Sequence, residues 1–96
     1  MVRRVYIDFN SVSREYYLMH GAVPNPNRRQ SFPDFSSLVG YLGSDDPSAR
    51  ELRQRSNLHI HILFDNEHVV GLELALSDIG FKRPVIVRGP PKGDGE

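Results

Sequence analysis

Two histidines separated by one residue are the first candidates for chemistry in this sequence. His59 and His61 lie in an apolar alternating pattern, so both imidazoles should point to the same side of a strand. Together with Asp65 they could form a histidine and carboxylate metal site. Such a site needs three or four converging ligands, and Asp65 lies beyond the predicted strand. A solvent-facing or interface pair is therefore the leading interpretation, and no metal or other cofactor is predicted.

A second candidate group surrounds a carboxylate near the end of the first predicted strand. Asp8 has Tyr6 beside it and His20 farther along the chain, and a carboxylate at a strand end can act as a general acid or base. The sequence places no second carboxylate, activated nucleophile or glycine-rich phosphate loop with this group. We therefore predict that Asp8 is a solvated surface residue and that the protein is not an enzyme.

The overall charge and composition restrict the partners. A chain of 96 residues has room for a single domain. Its 12 basic and 12 acidic residues give zero net charge, so nucleic acid is not expected as a partner. RNA binding through Arg28, Arg29 and the arginines of the range 50–55 remains a third hypothesis. Because cysteine is absent, disulfides and thiol chemistry are excluded, and no apolar run approaches the length of a membrane span.

The elements that must position these residues follow from hydrophobic periodicity. Residues 2–9 alternate as a half-buried strand, and residues 16–19 favour a second strand over the end of a small helix. The proline-rich range 24–33 predicts an exposed loop. A helix should follow, with Pro33 in its first turn and Gly43 at its end. Its core-facing side is formed by Phe35, Leu38, Val39 and Leu42.

The second half of the chain predicts strand, helix and strand after a short charged helical turn. That turn runs to Arg55, with Asp46 as N-cap and Pro47 in the first position. In the next strand Leu58, Ile60, Ile62 and Phe64 share one face, and His59, His61 and Leu63 share the other. Residues 68–79 fit both helical and strand periodicity. An N-cap at Asp65 or Asn66 and a left-handed cap at Gly80, with Phe81 folding back on Leu76, favour the helix.

These elements predict an α+β fold in a single domain over residues 1–88. The expected order is strand, strand, helix, strand, helix, strand, in a two-layer sandwich. Its mixed sheet should have about four strands, with two main helices on one face. The last strand is predicted at residues 85–87, and residues 89–96 are predicted to be a disordered tail.

The order of elements resembles the periplasmic domain of the ExbD/TolR biopolymer-transport family. In that family, a strand ending in an aspartate precedes a helix that closes on a glycine and an apolar residue, and a short apolar strand follows. Asp65, Gly80 and Phe81 occupy those places, ahead of the apolar residues 85–87. The family's membrane-spanning helix and its aspartate have no counterpart in this chain, so no residue here inherits a role in proton movement.

The resemblance implies a non-catalytic, periplasmic interaction domain of an inner-membrane complex driven by the proton-motive force. It would form homodimers and bind a protein partner or the cell wall, and it would meet the membrane only through a spanning helix absent from this chain. Strand addition is the predicted mode of recognition. The predicted partner-binding residues are Tyr6, His59, His61, Leu63, Val85 and Val87. The alternative is a cytoplasmic ferredoxin-like module that binds a metal or small ligand through His59 and His61.

Overall fold

Five strands form one mixed sheet in the computed structural model, which describes residues 3–21, 26–81 and 84–89. The strands are β1 (Arg3–Phe9), β2 (Tyr16–His20), β3 (Arg29–Phe32), β4 (Leu58–Ile62) and β5 (Val85–Arg88). They lie in the order β3-β2-β1-β4-β5. The β1–β2 and β2–β3 pairs are antiparallel, whereas the β1–β4 and β4–β5 pairs are parallel. The central strand β1 therefore has one neighbour of each kind.

Helices α1 (Phe35–Leu42), α2 (Pro47–Gln54) and α3 (His68–Asp78) pack against one face of this sheet. We call this the helix-covered face. Its core combines apolar strand residues with one apolar side of each helix. The buried cluster includes Val5, Ile7, Leu18, Ile60, Ile62, Leu38, Leu42, Leu52, Leu72 and Leu76. The predicted α+β fold, with a mixed sheet and helices on one face, is confirmed, although α2 adds a third helix to the two main ones predicted.

The strand β3 corrects the prediction of a loop over residues 24–33 and raises the strand number from four to five. Only Phe32 is buried in β3, and the residues from Arg29 to Ser31 are exposed. The sequence of β3 has no apolar alternation from which a strand could be predicted. The strand forms because its backbone pairs with β2. Residues 22–25 of the predicted loop lie outside the described residues.

The first two helices begin at aspartate caps. The Asp34 carboxylate accepts a hydrogen bond of 2.7 Å from the Ser37 amide, so α1 starts at Phe35 and Pro33 precedes the helix instead of entering its first turn. The Asp46 carboxylate accepts from the Ser48 amide at 2.9 Å, and α2 begins at Pro47 as predicted. Both caps satisfy amides that a helix leaves unpaired.

Hydrogen bonds at both ends of α3 show why residues 68–78, which fitted both periodicities, form a helix and not a strand. The N-cap residue is Glu67 and not Asp65 or Asn66 as predicted, although the Asn66 side chain accepts a hydrogen bond of 2.8 Å from the His68 amide at the helix start. At the other end Gly80 has a φ of 96°, its amide donates to Ser77 O, and the Phe81 amide donates to Leu76 O. This pair of bonds is a Schellman motif, and Phe81 is buried in the core beside Leu76.

Candidate interaction surface

Alternate strand residues point away from the helices and form a second face of the sheet. Its members are Arg4, Tyr6, Asp8, Tyr17, Met19, Arg29, Ser31, His59, His61, Leu63, Val85 and Val87. Tyr6 lies at its centre, between Met19 of β2 and His61 of β4. All six predicted partner-binding residues are thus on this face, but their accessibility differs.

Tyr6 is fully buried and serves the fold instead of presenting a binding surface. Its hydroxyl donates a hydrogen bond of 2.8 Å to the Gly21 carbonyl oxygen, and its ring stacks on His61 with 5.3 Å between the centroids. Burial raises the pKa of Tyr6 above its usual value, against a smaller opposing effect of Arg4. The hydroxyl therefore remains a donor at neutral pH.

His59 and His61 lie close together, but the His61 imidazole is already hydrogen-bonded to the backbone. His61 is only 3% exposed, and its Nδ1 lies 3.0 Å from the Gly89 carbonyl oxygen. Because a carbonyl oxygen only accepts, this nitrogen carries the proton. The His59 ring is 6.5 Å away between centroids. Among the described residues no three histidine or carboxylate side chains are arranged to hold a metal ion, so His59, His61 and Asp65 are not assembled into the alternative metal site.

The residues grouped with Asp8 in the prediction lie on opposite faces of the sheet. The Asp8 carboxylate accepts a hydrogen bond of 2.7 Å from the neighbouring Phe9 amide. Asp8 and Tyr6 lie on the second face, whereas His20 pairs with Val5 and belongs to the helix-covered face. The structure therefore does not bring His20 to Asp8.

The arginines considered for RNA binding make separate contacts. The Arg29 guanidinium lies over the Tyr17 ring at 4.0 Å from its centroid. Arg53 donates to the Leu42 carbonyl oxygen at 2.6 Å, which covers the end of α1, and Arg55 pairs with Glu51 at 3.3 Å. RNA binding by these residues stays the third hypothesis.

The most exposed apolar residues of the ordered elements belong to the edge strand β5 and to the outer side of α3. Val85 on β5 is 48% exposed, and Val70 and Leu74 on the outer side of α3 are 58% and 63% exposed. Glu73 of α3 forms two hydrogen bonds with the Arg88 guanidinium, at 3.1 and 3.2 Å. This contact links α3 to β5. We call Val85 and Arg88, with the outer backbone of β5, the β5 edge surface.

Part of the β5 backbone is directed away from the sheet. The Gly89 amide donates to the Ile62 carbonyl oxygen at 2.8 Å, so this amide faces β4. Because amides alternate in direction along a strand, the amides of Ile86 and Arg88 point outward. An added strand could pair with them.

Accessibility divides the predicted partner-binding set. Tyr6 and His61 are buried, His59, Leu63 and Val87 are partly buried, and Val85 is exposed. The prediction from sequence did not include Val70 and Leu74. They could have been found, because they are the apolar residues of α3 that fall outside the buried spacing of Val69, Leu72 and Leu76.

Comparison with models of known families, with curated proteins and with solved structures finds no match for this chain. The similarity to the ExbD/TolR family therefore rests on the order of elements and on Asp65, Gly80 and Phe81. Within the described ranges, no helix has the length and apolar character needed to cross a membrane. The helix cap at Gly80 and Phe81 is compatible with the resemblance, but such caps are common in unrelated folds.

Proposed function

We propose that this domain is a non-catalytic protein-interaction module that pairs with a second copy of itself along β5. The observation that carries the proposal is the coincidence of outward amides with an exposed apolar side chain at one sheet edge. The backbone at Ile86 and Arg88 supplies hydrogen bonds for an added strand, and Val85 supplies exposed apolar area beside it.

A second copy fits this edge for two reasons. Two β5 strands related by a two-fold axis would run antiparallel, and each copy would offer the same amides and carbonyls to the other. The formal net charge of zero adds no overall repulsion between copies. The Glu73–Arg88 pair, which lies at the rim of this surface, can exchange partners across a symmetric contact.

The wider context that we propose is the one implied by the ExbD/TolR resemblance. In that context the domain is periplasmic, belongs to an inner-membrane energy-transduction complex, and transmits motion by binding a partner chain or the cell wall. The β5 edge would then be the dimer contact, leaving the opposite edge strand β3 and its exposed residues Arg29, Gln30 and Ser31 for the partner.

The test of self-association compares two substitutions at one exposed position. Proline at Arg88 removes an outward amide and blocks strand addition, without removing a hydrogen bond of the ladder with β4. The matched control, Arg88→Gln, removes the ion pair with Glu73 but keeps the amide. In sedimentation velocity from low micromolar to millimolar concentration, we expect the natural chain and Arg88→Gln to dimerise and Arg88→Pro to remain monomeric.

Two results would contradict this proposal. One is a natural chain that stays monomeric at every concentration. The other is a dimer that Arg88→Pro leaves unchanged, which would place the contact elsewhere. Urea unfolding of Arg88→Pro checks that the variant is folded, so that loss of dimer is not loss of structure.

A further inference from the structure

We infer that a cavity between β1, β2, β3, α1 and α2 is a binding site for a phosphate dianion, either free phosphate or a phosphomonoester. The cavity has a volume of about 360 Å³ and lies at the end of β1 opposite to Asp8. Its lining residues are Arg3, His20, Gln30, Tyr41, Ser48, Glu51 and Arg55. This site is separate from the β5 edge surface and does not depend on the proposed dimer.

Arg3 is the first reason for this inference. It is partly buried, yet among the described residues it forms no ion pair with a carboxylate. Its one hydrogen bond to a side chain is a contact of 3.5 Å between Nη2 and His20 Nδ1, and its buried Nε has no partner in the described part of the chain. Partly buried cations are normally paired, so an anion is the group that this guanidinium lacks.

The second reason is that further positive charge converges on the same cavity. Arg55, the C-cap residue of α2, lines it, and its Nε is also buried without a partner among the described residues. Glu51 pairs with Arg55 at 3.3 Å and is the one carboxylate among the lining residues. Two guanidinium groups and one carboxylate leave an excess of one positive charge, which rises when His20 is protonated.

Burial and the charges around the cavity shift the pKa of His20. Burial lowers the pKa of His20, the neighbouring Arg3 lowers it further, and Glu51 opposes both. Arg55 and Tyr41 are the other ionisable groups that line the cavity. A bound dianion would offset the effect of Arg3 and favour the imidazolium, so ligand binding should raise the pKa of His20.

Neutral donors complete a phosphate site. Tyr41 of α1 and Ser48 of α2 offer hydroxyl groups, and Gln30 of β3 offers an amide. Arginine suits this ligand because its fork of donors can bind two phosphate oxygens at once. Residues of β1, β3, α1 and α2 therefore present donors to one small volume. The contact of 3.5 Å between Arg3 and His20 links β1 to β2.

The experiment is a titration with inorganic phosphate and with methyl phosphate at constant ionic strength, followed by amide and histidine NMR. We expect saturable shifts at residues around the cavity and a rise in the pKa of His20. Tighter binding of methyl phosphate would support a phosphomonoester as ligand, and tighter binding of inorganic phosphate would support the free ion. Unsaturated shifts that chloride reproduces would overturn the inference.

Three methionine variants locate the site. Arg3→Met and Arg55→Met each remove one guanidinium, and each should weaken binding by about tenfold or more, as expected for lost charge-assisted hydrogen bonds. Arg50→Met is the matched control, because Arg50 is an exposed arginine of the same helix that does not line the cavity. Equal weakening by all three variants would mean that phosphate binding depends only on the overall charge of the protein, and this would contradict the proposed site. Arg55 is partly exposed, so its variant remains informative if Arg3→Met does not fold.

Discussion

The two faces of the sheet are buried by different means. On the helix-covered face, apolar residues of β1 and β4 contact three amphipathic helices and form a continuous core. On the second face, Tyr6, Tyr17, Met19 and His61 are almost as well buried, although α1, α2 and α3 all lie on the other side. The contacts on this face are the stacking of Tyr6 on His61, the Arg29 guanidinium over the Tyr17 ring, and the hydrogen bond from Tyr6 to the Gly21 carbonyl.

Burial alone therefore does not identify a hydrophobic core. The helix-covered face derives its stability from apolar area and close packing. The second face combines large rings with polar groups that must keep their hydrogen bonds, because an unpaired buried polar group is costly. Substitutions should therefore act through volume on one face and through hydrogen bonding on the other.

The largest expected effect is the loss of packing on the helix-covered face. Leu72→Ala removes a fully buried side chain between α3 and the sheet and should lower the free energy of unfolding by about 3 kcal/mol. Leu74→Ala on the same helix, where the side chain is 63% exposed, should change it by less than about 0.5 kcal/mol. Urea unfolding of both variants tests the assignment of the two sides of α3. Equal effects would mean that α3 does not pack as described.

A smaller effect is expected from removing one hydroxyl on the second face. Tyr6→Phe preserves the ring but leaves the Gly21 carbonyl without its 2.8 Å hydrogen bond, which should cost about 1 kcal/mol. The control is Tyr17→Phe, whose hydroxyl makes a longer contact of 3.3 Å to Glu15 and should matter less. Chemical denaturation measures both. A neutral Tyr6→Phe would show that the second face depends on ring packing alone.

The smallest effect concerns His20, a polar residue at the edge of the helix-covered face. Its pKa in the folded state is lowered below the reference value of 6.5, mainly by burial, so the unfolded chain binds a proton more readily. This contribution to stability is complete above pH 6.5 and is lost as the pH falls from there through the folded-state pKa. In urea unfolding across this range, His20→Gln should show a shallower decline than the natural chain. Identical profiles would show that protonation of His20 does not change the free energy of unfolding.

The prediction from sequence succeeded where the local pattern and the tertiary environment agree. The alternation around Ile7 and Ile60 reflects a sheet with one helix-covered face, and Gly80 with Phe81 correctly favoured a helix over a strand. The cap at Asp46 was correctly predicted, because a short polar side chain there bonds a free amide, whereas the cap at Asp34 was missed because Pro33 was placed inside the helix.

Other features had no local signal. The edge strand β3 exposes three of its four residues, so its pairing with β2 depends on the partner strand and not on its own composition. The cavity around Arg3 was not predicted, because Arg3 and Arg55 are far apart in sequence and meet only after β1 and α2 are placed. The burial of Tyr6 and His61 was likewise invisible, since their alternation predicted only which face they occupy.

The position of β1 has a consequence for the order in which this chain can fold. Its antiparallel partner β2 follows after a short turn, so β1, β2 and β3 can form a meander through local contacts. Its parallel partner β4 is about 55 residues away, as the pairing of Arg3 with Leu58 requires. Closing that long loop carries an entropic cost before any parallel contact is gained. During synthesis, the β4 side of β1 therefore stays unpaired until residues 58–62 have emerged.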